Sequence, residues 1–396
     1  MRNQKLVPKV EILHRETSGS RRSSYKVTAF GKTRNQKILI SGNEAIAEAA
    51  VQAGCRFYAG YPITPQNEIP AYMAKRMPGI GGVFIQSESE LAAISMVMGA
   101  SAAGARAMTS SSSPGISLKQ EGISYIAGAE LPAVIVNVMR AGPGLGNIWP
   151  AQSDYFQAVK GGGHGDYHNI VLAPSSAQEA FDLTMFAFDL ADKYRNPVMI
   201  LSDGMSGQMM EPIVIPEDRK NLLSGICCLT SEKKWAVTGC KDRLPNLVAS
   251  FRMCLGDTEK LNQHLQGKYK QILADEQRCE SVGIDEAEII IVAYGIMARI
   301  AKGAIKTLKA KNIKVGLIRP ITLWPFPETQ ITQILKHRLG RVKYFLVVEM
   351  SYGQMVEDVR LAVNGKAKVE FLGRAGGGVP TEEEIIKRLE VISDKL

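Results

Sequence analysis

An apolar run at residues 133–138 constrains the fold of this chain more than any other single stretch. It reads Ala-Val-Ile-Val-Asn-Val, so nearly every side chain is apolar and most are β-branched. Because such a strand has no face suited to water, the run predicts a parallel strand that is covered on both sides. Short apolar runs alternate with helix-like stretches before and after it, and this alternation predicts an α/β protein with a doubly wound parallel sheet.

The length of the chain, 396 residues with 45% hydrophobic side chains, is sufficient for two cores. The alternation of strands and helices extends from residue 38 to about 220, weakens between 221 and 283, and begins again at 284. We therefore predict an N-terminal extension (1–37), a first α/β domain (38–220), a connector (221–283) and a second, smaller α/β domain (284–396).

The net charge of +9 belongs almost entirely to the N-terminal extension. Residues 1–37 contain ten Lys or Arg residues and two Glu residues, so the rest of the chain is close to neutral. Three interpretations fit: a disordered tail, a targeting segment, or translation from a start codon upstream of the true one. We favour a disordered or artefactual extension, and we expect no nucleic-acid partner.

Two further properties of the composition predict where the protein works. No apolar run reaches the roughly 18 residues that a membrane-spanning helix needs, so we expect no membrane span. The six cysteines are scattered, without a Cys-x-x-Cys pair or a secretory signal, which favours a reducing compartment and a cytoplasmic protein. The same spacing predicts that this chain carries no iron–sulfur cluster of its own.

A stiff loop carrying a hydroxyl follows the strand predicted at residues 56–60. Pro62 and Pro65 flank Thr64 and restrict the backbone to non-helical conformations. Ligands of open α/β sheets bind beyond the carboxyl ends of the strands, so Thr64 lies where a ligand is expected.

Two acids, Glu88 and Glu90, follow the next predicted strand at residues 82–85. Either acid is a candidate for ligand chemistry by its position at a strand end. The simpler interpretation is that one of them opens the helix predicted to start at Leu91, where a carboxylate gains from the helix dipole. The residues alone slightly favour this simpler interpretation.

Other polar groups occupy the ends of later strands: the serine run 110–113, Arg140 with the Gly-rich loop 141–146, and Asp203. Arg140 is either an anion-binding group or a surface charge, and the Gly-rich loop is either a ligand loop or an ordinary turn. We interpret Asp203-Gly204 as a turn at a strand end. These residues support an α/β protein that handles an anion, and no more specific activity.

One further loop, Gly161-Gly-Gly-His-Gly-Asp166, resembles a metal or phosphate loop. A single His and a single Asp are too few ligands for a structural metal site, so we predict no metal ligands on this chain.

Several strings of residues together resemble the α subunit of 2-oxoacid:ferredoxin oxidoreductases. They are Gly60-Tyr-Pro-Ile-Thr-Pro65, Ser89-Glu-Leu-Ala-Ala93, Thr109-Ser-Ser-Ser-Ser-Pro-Gly115, Val138-Met-Arg140 and Arg319-Pro-Ile-Thr-Leu-Trp-Pro-Phe-Pro327. Within the family, the group that acts on branched-chain 2-oxo acids is most similar, on Lys119-Gln-Glu-Gly122, Gly142-Pro-Gly-Leu-Gly146 and the His164 loop.

The resemblance implies a pyrimidine-type thiamine diphosphate-binding domain at 38–220 and a transketolase C-terminal-like domain at 284–396. It also implies roles for single residues. Glu90, chosen over Glu88, matches the acid that bonds N1′ of the aminopyrimidine, and Tyr61, Pro62 and Ile63 match the loop that contacts the cofactor. Thr64 and Arg140 match the groups that meet the oxo acid itself.

The resemblance further implies that thiamine diphosphate is shared with a β subunit, which carries the Mg²⁺ and the [4Fe–4S] cluster. The expected partners are this β subunit, γ and small ferredoxin-like subunits, ferredoxin and coenzyme A. The expected reaction is the coenzyme A-dependent oxidative decarboxylation of a branched-chain 2-oxo acid to an acyl-CoA and carbon dioxide. A 2-oxoglutarate or pyruvate enzyme is the alternative, and a non-catalytic scaffold subunit is an alternative of another class.

Overall fold

The computed structural model describes residues 36–215, 233–337 and 341–396. The extension predicted for residues 1–37 lies outside this part, except for Gln36 and Lys37, which begin the first strand. The predicted junction near residue 220 also lies outside the described residues. The domain boundaries given above therefore remain predictions.

The described ranges contain alternating strands and helices. The strands are β1 Gln36–Ser41, β2 Phe57–Gly60, β3 Val83–Gln86, β4 Ala107–Ser111, β5 Ala133–Met139, β6 Ile170–Leu172, β7 Pro197–Asp203, β8 Met210–Ile215, β9 Cys279–Val282, β10 Ile289–Val292, β11 Val315–Pro320, β12 Thr322–Trp324, β13 Tyr344–Glu349 and β14 Lys368–Gly373. The helices are α1 Gly42–Gln52, α2 Glu68–Arg76, α3 Glu90–Ala102, α4 Ser113–Gly128, α5 Tyr155–Val159, α6 Ala177–Tyr194, α7 Gly204–Gln208, α8 Asp257–Asp275, α9 Gly295–Lys309, α10 Glu328–His337, α11 Met355–Val363 and α12 Glu382–Ser393.

The first sheet has seven strands in the order β12-β6-β7-β5-β4-β2-β3. All neighbouring pairs are parallel except the pair of β12 with β6. Strand β5 lies at the centre and is buried along its whole length, as its apolar sequence predicts. The predicted α/β class with a doubly wound parallel sheet is confirmed.

The second sheet has five strands in the order β14-β13-β10-β11-β9, and only β9 runs antiparallel to its neighbour. Strand β9 comes from the end of the stretch that was predicted to be a connector. A separate antiparallel pair, β1 with β8, joins the first strand of the first domain to its last described strand.

The stretch 319–327, quoted above as a family motif, contains a short strand. Residues Thr322–Trp324 form β12, which pairs with β6 at the edge of the first sheet. The ring of Trp324 stacks on the ring of His168, with centroids 4.5 Å apart. The second domain thus contributes a strand to the sheet of the first domain.

Buried polar groups also join the two domains. The Gln152 side chain is fully buried; it donates to the Tyr294 carbonyl (3.0 Å) and accepts from the Met350 amide (3.0 Å). The buried Arg319 guanidinium donates to Glu179 of the first domain at 2.7 Å and to Glu280 at 2.6 Å. These contacts fix the second domain next to the end of the first sheet.

Serine side chains cap the N-termini of helices α1 and α3. Ser41 caps α1 in a capping box with Glu44, in which each side chain accepts from the other residue's backbone amide. Ser89 caps α3 by accepting from the Ala92 amide.

In the ranges that the structure describes, no helix combines the length and the apolar character needed to cross a membrane.

Candidate active site

The loop after β2 is anchored by a series of hydrogen bonds that involve buried side chains. Gln66 is fully buried, and its side-chain amide donates to the Tyr61 carbonyl (3.2 Å) while its amide oxygen accepts from Ser110 Oγ (2.5 Å). Ser110 Oγ also lies 2.6 Å from the Tyr58 hydroxyl. Because Gln66, Ser110 and Tyr58 are buried and hydrogen-bonded to one another, they anchor the loop to the sheet beneath it.

Thr64 lies half-buried in this loop, followed by a cis peptide bond to Pro65. Its hydroxyl oxygen accepts from the Asn67 side chain at 3.1 Å. The hydroxyl hydrogen is therefore still available to donate to a ligand. The preceding Tyr61 and Pro62 are exposed, which leaves the outer face of the loop open.

The two candidate acids differ sharply in their surroundings. Glu88 is exposed, whereas Glu90 is only 6% exposed and opens helix α3. Within the described part of the chain, no group donates a hydrogen bond to the Glu90 carboxylate. A mostly buried carboxylate without a hydrogen bond from the protein is a candidate for contact with a ligand.

Helix α4 packs tightly against this carboxylate through a glycine. A Cβ atom built on Gly115 would lie 2.5 Å from Glu90 Oε1 and 2.1 Å from Ser111 Oγ. Only a residue without a side chain fits here. The hydroxyls of Ser111 and Ser112 are buried without hydrogen-bond partners, so polar groups that lack a partner cluster at the start of this helix.

Arg140 follows β5 and is only 7% exposed, so its interpretation as a surface charge is wrong. Its guanidinium donates to the Thr64 carbonyl and to the Leu145 carbonyl, each at 3.0 Å. Its Nε is buried and has no hydrogen-bond partner. Arg140 thus joins the Gly-rich loop to the Thr64 loop by hydrogen bonds. Its other N–H groups form no hydrogen bond within the described residues.

The first turn of α4 connects these groups. Ser113 Oγ lies 3.0 Å from both the backbone nitrogen and the carbonyl oxygen of Arg140, while Gly115 of the same turn touches Glu90. Thr64, Glu90 and Arg140 are therefore gathered beyond the carboxyl ends of β2, β3 and β5, where ligands of such sheets bind.

The cleft between the two domains opens beside this turn. Its volume is about 540 Å³, and its lining includes Ser113, Gly142, Asp154 and Tyr352. Burial raises the pKa of the Asp154 carboxyl, which accepts from Ser113 Oγ at 2.6 Å. The Gly-rich loop 142–146 is exposed at the edge of this cleft.

The remaining sequence candidates lie elsewhere or have structural roles. Asp203 ends β7, as predicted, but helix α7 begins at Gly204 with Asp203 as its cap, so the prediction of a turn at Asp203-Gly204 is wrong. His164 is exposed, and its ring meets the Tyr125 ring edge-on. Lys119, which was quoted only as part of a resemblance, is a fully buried residue of the site region that sequence reasoning missed.

Comparison with known proteins identifies the family to which this arrangement belongs. Residues 48–234 match the family described as "Pyruvate flavodoxin/ferredoxin oxidoreductase, thiamine diP-bdg", and residues 287–385 match "Pyruvate:ferredoxin oxidoreductase core domain II". The ketoisovalerate oxidoreductase subunit VorB of Methanothermobacter thermautotrophicus is 51% identical over 355 residues, which are 90% of this chain and 97% of the relative. The chain belongs to the 2-oxoacid:ferredoxin oxidoreductase family. The resemblance stated from the sequence motifs is confirmed.

Other members of the 2-oxoacid:ferredoxin oxidoreductase family are also similar. The 2-oxoglutarate synthase subunit KorA of the same organism is 38% identical, covering 89% of this chain and 98% of the relative. A solved 2-oxoglutarate:ferredoxin oxidoreductase from Magnetococcus marinus superposes with a TM-score of 0.80 at 26% identity, covering 90% of this chain. The chain spans only 65% of that solved chain. A split-gene transketolase superposes with a TM-score of 0.55 at 15% identity, which shows the fold alone.

Membership in the 2-oxoacid:ferredoxin oxidoreductase family settles the general class of the protein. The first domain is a thiamine diphosphate-binding domain, and the chain is an oxidoreductase subunit, as its relatives are. The predicted architecture, a thiamine diphosphate-binding domain followed by a smaller α/β domain, is confirmed.

Proposed function

We propose that this chain supplies the pyrimidine side of the thiamine diphosphate site in an enzyme that oxidatively decarboxylates a 2-oxo acid. The enzyme would transfer the acyl group to coenzyme A and the electrons to ferredoxin. The buried Glu90 carboxylate carries this proposal, because it lacks a hydrogen bond from the described residues and lies against Gly115. A ring nitrogen that shares a proton with this carboxylate would supply the missing partner.

The residues around Glu90 fit the aminopyrimidine part of the cofactor. Glu90 would hold a proton at the ring nitrogen N1′, and the Tyr61–Ile63 loop would contact the ring. When it is bound, thiamine diphosphate supplies the nucleophilic carbon and the electron sink that loss of carbon dioxide requires. The hydrogen bonds through Gln66 that anchor the loop would keep the ring in one orientation.

Thr64 and Arg140 would receive the oxo acid. The guanidinium has five N–H groups, and the structure uses it as a donor to only two carbonyl oxygens, those of Thr64 and Leu145. The remaining N–H groups on the two terminal nitrogens would bind the substrate carboxylate in a charge-assisted contact. The Thr64 hydroxyl would donate to the carboxylate or to the oxo oxygen.

Replacing Arg140 by Lys tests this role. Arg140→Lys keeps the positive charge but loses the planar fork, so we expect the KM for the oxo acid to rise roughly tenfold or more. The affinity for thiamine diphosphate should stay within about twofold of the wild-type value. Steady-state kinetics and calorimetric titration of the cofactor measure the two effects. An unchanged KM would contradict the assignment, and a parallel loss of cofactor affinity would indicate that the loop itself has moved.

The branched-chain 2-oxo acids are the substrate class that we propose. The support is the higher identity to the ketoisovalerate oxidoreductase subunit, 51% against 38% for the 2-oxoglutarate synthase subunit. 2-Oxoglutarate is the alternative, because members named for it align over nearly the same share of the chain.

Partner subunits are part of the proposal. We propose that a β subunit carries the Mg²⁺, the diphosphate contacts and the [4Fe–4S] cluster, and that γ and small ferredoxin-like subunits complete a cytoplasmic complex. The relatives named above are themselves subunits. A group of large apolar side chains in the segment 244–255 is almost fully exposed, and this supports burial in an assembly: Leu244, Leu247, Phe251, Met253 and Leu255.

Activity of the separate chain and of the assembled complex tests the proposal directly. We expect the complex to reduce ferredoxin with 3-methyl-2-oxobutanoate and coenzyme A, with a kcat/KM about tenfold or more above that with 2-oxoglutarate. We expect this chain alone to be inactive, because it holds only one side of the cofactor. Decarboxylation by the isolated chain would refute the shared site, and a preference for 2-oxoglutarate would refute the substrate class.

A further inference from the structure

Lys119 lies in the middle of helix α4 with its side chain fully buried. Its ammonium donates to Thr109 Oγ1 at 2.6 Å and to the Ser110 carbonyl at 3.0 Å. It forms no direct ion pair with a carboxylate in the part of the chain that the structure describes. Lysine is rarely buried without a paired charge, because the ammonium loses its hydration.

The helix geometry directs Lys119 towards Glu90. Lys119 follows Gly115 by four residues, so both occupy the same face of α4, one turn apart. Side chains on a helix point back towards its N-terminus, so the long lysine side chain extends over the turn that contains Gly115. That turn touches the Glu90 carboxylate, since the Cβ position of Gly115 lies 2.5 Å from Glu90 Oε1.

The electrostatics of the surrounding elements agree with this placement. Burial lowers the pKa of Lys119 to about 7, and attraction by the Glu90 charge on α3 opposes this shift. From β4 the neighbours are the uncharged Thr109 and Ser110. From β2 the nearest titratable group is Tyr58, which is bonded to Ser110 Oγ and stays neutral because burial raises its pKa.

We infer that Lys119 is a positioning residue for Glu90, a built-in countercharge that disfavours protonation of a cofactor ring bound to the carboxylate. This inference rests on the proposed thiamine diphosphate site. A positive charge close to the carboxylate makes it harder for a ring bound there to become cationic.

Lys119→Met in the assembled complex, loaded with thiamine diphosphate and Mg²⁺, tests the inference. Methionine keeps the unbranched shape of the side chain and removes its charge. The near-ultraviolet circular dichroism of the bound cofactor reports the protonation of its aminopyrimidine. We expect its titration midpoint to move up by about one pH unit, since removal of a nearby cation favours protonation.

The difference between the wild type and Lys119→Met is expected only in a limited pH range. A lysine with a pKa of about 7 is charged below that pH and neutral above it. Wild type and Lys119→Met should therefore differ between their two titration midpoints when these lie below about pH 7, and they should converge above that pH. If the lysine had only a structural role, the titration curves of the wild type and of Lys119→Met would coincide at every pH.

Two further variants separate charge from hydrogen bonding. Lys119→Gln can still donate to the Ser110 carbonyl but is neutral, so we expect it to titrate like Lys119→Met; it also carries the test if Lys119→Met fails to fold. Lys268→Met is the matched control, since Lys268 is a largely buried lysine that pairs with Glu130 at 3.2 Å, and it should titrate like the wild type.

The outcomes distinguish this inference from the proposed function. A wild-type midpoint in Lys119→Met, or in Lys119→Gln alone, would overturn the countercharge while leaving the cofactor site intact. Failure of the wild-type complex to bind thiamine diphosphate would overturn the proposed function, and the inference with it. Because the countercharge acts through Glu90, Lys119→Met should shift the midpoint much less in a Glu90→Gln background.

Discussion

Glu90→Gln in the assembled enzyme is expected to lower turnover by about 10²- to 10⁴-fold, the range typical for loss of a positioned acid–base group. The substitution keeps the size of the side chain and removes its ability to hold a proton at a ring nitrogen. Glu90 is buried and lacks a hydrogen bond from the described residues, so glutamine does not break a protein contact there. Steady-state ferredoxin reduction measures the loss.

Glu88→Gln is the matched control for this experiment. Glu88 lies two residues away but is exposed, so its substitution should leave turnover within about twofold of the wild type. Thermal unfolding of Glu88→Gln should coincide with the wild type. If Glu88→Gln lost activity and Glu90→Gln retained it, the roles assigned to the two acids would have to be exchanged.

The position of the site could be predicted from the sequence because its groups follow strands. Thr64, Glu90 and Arg140 each lie within five residues of the end of a predicted strand, and parallel strands bring such positions to one edge of the sheet. The choice between Glu88 and Glu90 could not be made from residue pattern, since both fit the start of a helix. It came from the family motif, and the burial of Glu90 against Gly115 now supports it.

Lys119 could not be found from sequence because its environment is tertiary. A lysine in a helix normally lies on the solvated face, and its neighbours Leu118 and Gln120 do not indicate otherwise. Leu118 is in fact 49% exposed while Lys119 is fully buried, so hydrophobicity points to the wrong face of this helix. Among the described residues, the hydrogen bonds to Thr109 and Ser110 and the nearby charge of Glu90 account for the buried ammonium, and all of them come from the tertiary fold.

The fold could be predicted where the local pattern and the tertiary environment agree. The central strand β5 is apolar throughout and is buried throughout. Strand β12 could not be predicted, because Thr322–Trp324 is a very short run that precedes a proline and is stabilised by pairing with β6 of the other domain. A strand that forms only by pairing with a distant partner has few features in its own sequence from which it could be predicted.

Gly115→Ala is expected to lower kcat/KM by roughly a hundredfold, although it adds only one methyl group. The new Cβ would lie 2.5 Å from Glu90 Oε1, 2.9 Å from Glu90 Cγ and 2.1 Å from Ser111 Oγ. Relief of these contacts must displace the carboxylate, and a displacement of about 1 Å from the reacting geometry can cost 10²-fold. Kinetics and thiamine diphosphate titration of the complex should show loss of both turnover and cofactor affinity.

Gly267→Ala separates this steric effect from a general effect of alanine in a helix. Gly267 lies within α8, and nothing lies within 4 Å of the Cβ that alanine would add there. Alanine is the better helix former by about 1 kcal/mol, so this control should keep full activity and unfold at a slightly higher temperature. The same gain in helix propensity applies to Gly115→Ala, so its loss of activity cannot come from a weaker helix. If Gly115→Ala were as active as Gly267→Ala, the carboxylate would not need its present position against α4, and the cofactor contact proposed for Glu90 would have to be abandoned.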